Sequence, residues 1–169
     1  DIASLYVVEE LPGGHAISCE DCENAEKNQG VQVRSGDILL LRTGMMAKAR
    51  SGDVLAYGSG TTLEDSPIPG FPGVGLGAVE FFYDREIAAV ATDTVTFEVM
   101  PWDPSVPGAI LPIHCLNLVM MGLTQGQNWD LEELAKDCIE DGQWDFLLEA
   151  SPQPFVGGIG SPVNPVAIK

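Results

Sequence analysis

The chain has 169 residues, enough for one domain with its own core. Hydrophobic residues make up 45% and charged residues 20%, an ordinary soluble-globular composition. The formal net charge of −17, with only eight Lys and Arg, argues against nucleic-acid binding and against docking on anionic membranes; it reads instead as a solvated acidic surface.

No run approaches the ~20 apolar residues of a membrane span. No signal peptide is visible. The chain begins at Asp1 without an initiator Met, which is consistent with removal of an upstream segment. Cys19, Cys22, Cys115 and Cys138 are too few and too scattered for a disulfide scaffold, so reduced thiols in a cytoplasmic protein are expected.

Asp1-Ile2-Ala3-Ser4-Leu5 reads as the end of a strand. Ser18 is placed to cap a helix running to about Gln29, with Asp21 in the capping-box position, Ile17 as a staple and Gly30 as the stop. Residues 36–44 predict a short strand buried on both faces. Residues 51–77, rich in Gly, Ser and Pro, predict a long irregular loop of a kind that is often functional. A short helix is expected over 77–84. A second buried strand follows over 87–91, ending in the polar Thr92-Asp93-Thr94. Pro101, Pro104, Pro107 and Pro112 oppose any regular element over 100–112.

Residues 113–121, apolar except for His114, Cys115 and Asn117, predict a buried helix closed by Gly122. Asp130 caps another helix. Residues 144–150 can form a strand, and the glycine-rich 157–162 loop leads into 163–168. Strands alternate with helices, an α/β pattern without internal repeats.

Cys19-x-x-Cys22 has no second pair to complete a zinc site. Glu20 and Asp21 between the thiols oppose thiolate chemistry. Cys22 packing on the core is the simpler reading. Gly73-x-Gly75-x-Gly77 and Gly157-Gly158-x-Gly160 lack the dinucleotide spacing and the P-loop lysine, so close backbone approach or loop geometry explains them better.

His114 is one of two histidines, with His15. A lone histidine on an apolar helix is most often a satisfied core residue, but a buried imidazole needs a partner. Gln127 follows in a Gly126-Gln127-Asn128 turn, and an imidazole and an amide oxygen across such a turn can face one cation. Two ligands alone do not make a metal site. No Ser-His-Asp or Cys-His triad is arguable: Cys115 adjoins His114, but adjacent helix residues do not face each other.

Five segments carry a family likeness. Residues 30–44 (Gly-Val-Gln-Val-Arg-Ser-Gly-Asp-Ile-Leu-Leu-Leu-Arg-Thr-Gly) resemble the G-V-x-I-x-x-G-D-x-L-L-x-R-T-G segment of the cyclase family. Pro69-Gly70-Phe71-Pro72-Gly73-Val74 resembles its P-G loop. Residues 87–94 resemble its V-x-x-x-G-x-D-T strand end, with Ala91-Thr92 where Gly is common. Residues 114–133 are similar to H-x-x-L-L-x-x-x-G-x-x-x-G-E-x-x-D-L-E-x-L, and residues 157–168 to G-G-x-x-S-P-x-N-P-x-A-I. The blocks occur in family order over nearly the whole chain.

This resemblance, to kynurenine formamidase-like and isatin hydrolase-like metal-dependent hydrolases, implies a swivelling β/β/α fold within the α/β class. Residues 1–169 would be the C-terminal part of one such domain, completed by a missing N-terminal segment or a partner chain. The family's main metal motif, H-x-G-T-H-x-D, is absent here. It is expected on the chain's own N-terminal fragment or on a second subunit.

The resemblance further implies one divalent ion, Mn or Zn, and hydrolysis of a carbonyl–nitrogen bond by metal-activated water. The substrate would be a cyclic amide or aryl formamide, isatin-like or formylkynurenine-like. His114 matches the histidine at the metal centre and would hydrogen-bond the attacking water or shuttle its proton. Gln127 falls where the family's Glu binds a second metal. A neutral amide holds a second cation poorly, so a single ion is expected. Phe71, Phe81, Phe82 and Trp102 are the candidate pocket walls, with Trp129 a further one. A homo-oligomer is expected. The rival reading is a non-catalytic or regulatory subunit that completes the fold of a metal-bearing partner.

Overall fold

The computed structural model of the protein describes residues 1–102 and 110–169. The first segment is helix α1 (Ile2–Leu5), not a strand end. The reason is local capping: Asp1 Oδ1 accepts the Ser4 N–H at 3.0 Å and Oδ2 accepts the Ser4 hydroxyl at 2.7 Å. Strand β1 (Ala16–Ile17) leads into helix α2 (Cys19–Gln29), which matches expectation at both ends. Ser18 and Asp21 form the full capping box, and Gly30 closes the helix at φ 66° in the left-handed region.

Strand β2 (Ile38–Leu41) follows, then helices α3 (Met46–Arg50) and α4 (Val54–Ser59). The expected irregular stretch over 51–77 therefore contains α4, whose Ala56 N–H is capped by Asp53 at 3.0 Å, and strand β3 (Gly73–Val74). Helix α5 (Leu76–Asp84) and strand β4 (Ala89–Thr92) come next. Most of the proline-rich stretch, 103–109, lies outside the described residues.

Helix α6 (Pro112–His114) then runs directly into a π-helix (Cys115–Met121) closed by Gly122. The expected helix is present, but it is not buried throughout: Val119 and Met120 are about three-quarters exposed (77% and 75%). The chain ends with β5 (Thr124–Gly126), α7 (Glu132–Asp141), β6 (Leu147–Glu149) and β7 (Val166–Ile168). Asp130 lies one residue before the cap position of α7, where its Oδ1 accepts the Glu132 N–H at 3.2 Å.

The result is a mixed α/β fold with small sheets. β2, β4 and β5 form a parallel sheet in that order, with Leu39 opposite Val90 and Val90 opposite Gln125. β1 pairs in parallel with β3, and β6 pairs antiparallel with β7. β2 lies at a sheet edge and Ile38 is exposed, which corrects the expectation of a strand covered on both faces. The main core gathers Ile2, Ile17, Val74, Phe82, Val90 and Phe97, and a smaller cluster joins Met45, Met46, Tyr57 and Phe71.

Arg42 at the end of β2 clamps three elements. Its Nε and Nη2 each donate to Glu132 at 2.9 Å, and Nη1 donates to Asp1 at 3.2 Å. This planar fork uses guanidinium geometry that a lysine cannot reproduce. Cys22 is buried in the core as expected, and burial pushes its thiol up to about 12, against thiolate chemistry. Gly73 and Gly75 mark close backbone approaches. A Cβ on Gly73 would lie 2.5 Å from the Glu98 carbonyl carbon, and one on Gly75 would lie 3.0 Å from the Ile17 carbonyl oxygen.

Candidate active site at the end of strand β4

The site grows from the polar end of β4. Asp93 is fully buried and acts as a hub. Its Oδ1 accepts the Thr43 N–H and hydroxyl, both at 2.8 Å, and its Oδ2 accepts the Gly44 N–H at 2.8 Å. Burial pushes the Asp93 carboxyl above its ordinary value, and these three donors pull against that rise. The Asp93 carbonyl lies 3.1 Å from the Tyr57 hydroxyl, which also meets Asn128 Oδ1 at 2.6 Å. The Asn128 and Trp129 N–H groups donate to the Thr94 and Thr92 carbonyls at 3.0 and 3.1 Å. The turn carrying Gln127 is therefore anchored on β4.

A second arm leaves β4 through residues 95–98. Phe97 adopts φ 62°, and the Glu98 N–H turns back to the Thr96 carbonyl at 2.7 Å. This delivers the fully buried Glu98 carboxylate to the start of α6. Oε1 accepts the Ile113 N–H at 3.3 Å. Oε2 accepts the His114 N–H at 3.1 Å and lies 2.6 Å from His114 Nδ1. The Phe97 ring meets the imidazole edge-on, with centroids 5.9 Å apart and planes at 76°. The His114 side chain is 20% exposed, so one side of the ring remains open.

Helical geometry changes at this point: the π-helix starts at Cys115, the residue after His114. Such departures from α-geometry are frequent at functional sites. Asn117, on the π-helix, is fully buried. Its Nδ2 donates to Gln125 Oε1 at 3.4 Å, while its Oδ1 has no hydrogen-bond partner among the described residues.

The structure brings His114 onto Glu98, a partner the sequence reading missed. The available signal was a lone carboxylate among Val95, Phe97 and Val99, which must find a partner if that segment is buried. No hydrogen bond joins His114 to Gln127 among the described residues, and Gln127 is exposed. Phe81 and Phe82 belong to the main core and Phe71 to the smaller cluster, and none of the three is in a hydrogen-bonded or aromatic contact with His114. Trp102 and Trp129 are half-buried.

A cavity of about 230 Å³ lies elsewhere, between α2, β2 and α7, bordered by Cys22, Phe81, Leu134, Cys138 and Phe146; His114, Glu98 and Gln127 do not border it. Among the described residues, no group of three or more His, Cys, Asp or Glu is placed to hold a metal ion, and no helix is long and apolar enough to cross a membrane.

The Cyclase family model matches residues 1–99, an interval that includes Asp93 and Glu98 and stops before His114. A crystal structure described as a novel cyclase is similar over 100% of this chain and 52% of its own, with 34% identity and a TM-score of 0.79. Isatin hydrolase A from Ralstonia solanacearum is similar over 92% of this chain and 53% of its own, at 21% identity and a TM-score of 0.65, a likeness of fold alone. No curated protein matches. The chain spans about half the length of these two solved proteins. With the family model covering more than half of its residues and a solved cyclase matching all of it, the chain belongs to the Cyclase family.

Proposed function

We propose that residues 1–169 form part of a metal-dependent hydrolase. Its reaction cleaves the carbonyl–nitrogen bond of a cyclic amide or aryl formamide, an isatin-like or formylkynurenine-like substrate. The observation that carries this reading is the buried Glu98–His114 pair at 2.6 Å, set at the end of β4 in a chain of the Cyclase family. An imidazole so held, with one side of its ring open, is placed to accept and return a proton.

In this reading one manganese or zinc ion is held mainly by the H-x-G-T-H-x-D motif. That motif would lie on an N-terminal fragment or a second subunit that completes the fold. The described residues fit only the edge of such a site: they place no three candidate ligands together, while His114 offers an imidazole and Gln127 an exposed amide. When bound, the ion supplies Lewis-acid polarisation of the carbonyl and lowers the pKa of water.

This chain's residues do the rest. His114 takes the proton from the attacking water and returns it to the leaving nitrogen. Gln127, neutral and exposed, favours one ion over two. Trp102 and Trp129, both half-buried, would meet the aromatic ring of the substrate, while Phe71, Phe81 and Phe82 support the fold. A cytoplasmic homo-oligomer is the expected assembly. A non-catalytic subunit that completes a metal-bearing partner is the second reading. The neutral, exposed amide of Gln127 favours it.

Intact mass and metal analysis of the purified protein test the proposal. We expect a second polypeptide with bound manganese or zinc; a lone chain without metal overturns the hydrolase reading. In the metal-loaded assembly, His114→Ala should lower turnover of isatin or N-formylkynurenine by ~10²–10⁴-fold. Unchanged turnover removes the proton-transfer role and leaves the subunit reading.

A further inference from the structure

We propose that Glu98 is the positioning residue of His114: it locks the imidazole in one orientation and one tautomer, with the proton on Nδ1 and the lone pair of Nε2 turned away from the carboxylate. The catalytic consequence of this lock rests on the reading of His114 as the proton-transfer residue; the lock itself does not.

The argument starts from burial. Glu98 is fully buried, and a carboxylate in that position must have its lone pairs engaged. Three donors reach it from α6: the N–H groups of Ile113 and His114 and the ring Nδ1 of His114. The two backbone donors fix the carboxylate whatever the ring does. With Glu98 accepting from all three groups, as the two backbone donors arrange it, the 2.6 Å contact places the proton on Nδ1. In the neutral ring Nε2 is then the acceptor.

Both members of the pair are themselves held. The left-handed turn at Phe97 aims Glu98, and the Phe97 ring closes on the imidazole. The backbone of Glu98 rests on Gly73, where any side chain would overlap it. The ring therefore has neither a free torsion nor a free choice of tautomer. For a proton acceptor in catalysis this matters, because the wrong tautomer presents an N–H where a lone pair is needed.

Gln is the informative replacement at Glu98. It keeps the shape but offers one acceptor oxygen to three donors, so one oxygen cannot serve the two backbone groups and Nδ1 together. Its amide N–H groups can instead donate to Nδ1, which moves the ring proton to Nε2.

Nitrogen-15 NMR of histidine-labelled protein reads the tautomer directly. The chain has two histidines, and His15→Gln assigns the signals. In the unaltered protein with the ring neutral we expect His114 as a single Nδ1–H tautomer; an Nε2–H ring there overturns the proposal without any variant. Glu98→Gln should give a tautomer mixture or the Nε2–H form. In the metal-loaded assembly it should lower kcat by ~10–100-fold with KM changed by less than about twofold. Glu98→Asp, which keeps the charge on a shorter arm, should recover part of both signatures. A folded Glu98→Gln protein with an unchanged tautomer and unchanged kcat also overturns the proposal. If His114→Ala keeps full turnover while the tautomer lock is present, the hydrolytic role of His114 fails and the positioning by Glu98 stands.

Discussion

Asp93→Asn isolates the hub that joins the end of β2 to the end of β4. The substitution keeps volume and shape and removes one acceptor and the charge. In its better orientation the new amide carbonyl keeps the two Thr43 donors at 2.8 Å and turns its NH₂ toward the Gly44 N–H, also at 2.8 Å. That donor–donor contact leaves a buried N–H unsatisfied, at ~1–3 kcal/mol. The two retained bonds pass from charge-assisted to neutral and weaken by about half. Against this, neutralising the group relieves the desolvation that pushes the Asp93 carboxyl upward. The net expectation is a loss of about 2–3 kcal/mol, a fall in Tm of roughly 5–10 °C for a chain of this size. Urea and thermal denaturation followed by circular dichroism measure it. Thr43→Val, which removes the hydroxyl that donates to Asp93 at 2.8 Å and accepts the Met45 N–H at 3.3 Å, should cost about 1–2 kcal/mol. An Asp93→Asn protein within about 0.5 kcal/mol of the parent would refute the hub, because no buried donor left unsatisfied should be that cheap.

Three further outcomes follow from single positions. Burial works to raise the Asp21 carboxyl, but bonds from the Tyr6 hydroxyl and from the Ser18 N–H and hydroxyl hold it below its ordinary value. The folded chain thus binds fewer protons than the unfolded one as pH falls below about 4, so this group's stabilisation is present above that pH and lost through the folded value. Asp21→Asn should therefore lower Tm at pH 6–7, with the difference from the parent shrinking in acid; a pH-independent difference contradicts the assignment. Gly73→Ala sets a Cβ 2.6 Å from the Phe97 carbonyl oxygen and should cost about 1–3 kcal/mol in denaturation experiments, besides disturbing the Nδ1 signal of His114. Glu86 is exposed and sits at φ 51°, so Glu86→Gly should raise stability by about 0.5–1 kcal/mol; a loss of stability there means that the turn holds its conformation without strain.

Helix α2 is legible in the sequence from end to end because its determinants are local: the capping box spans three residues and its stop is one glycine. The same locality explains the error at residues 1–5, where an apolar run suggests a strand but the Asp1–Ser4 cap decides the conformation. β2 and β4 are readable as strands, yet the exposure of Ile38 depends on which strand pairs beside it, and that is not encoded in a window of nine residues. His114 stands out in the sequence as a residue needing a partner, and Gln127 is the candidate that nearness along the chain suggests. Glu98 is 16 residues away, across a stretch with four prolines, and pairs with His114 through a left-handed turn that a single phenylalanine does not announce.

That turn belongs to a pattern. Among the described residues, five that are not glycine have positive φ: Val7, Glu86, Phe97, Leu111 and Asn128. Phe97 precedes Glu98, Leu111 precedes α6 and His114, and Asn128 follows Gln127. Asn tolerates this conformation, but Phe and Leu do so at roughly 1–2 kcal/mol each. Strain of this kind persists only where surrounding packing and hydrogen bonds over-determine it. Here the constraints are visible: Glu98 bonds both backbone donors beyond Leu111, and Phe97 is fully buried against the imidazole it faces. A helix of ordinary stability needs none of this, since a glycine or asparagine in place of Leu111 would turn the chain with less strain. What the strained version supplies is a fixed direction for one ring, the feature on which the proposed role of His114 rests. The strain, the π-helix that starts one residue later and the buried carboxylate all converge on His114.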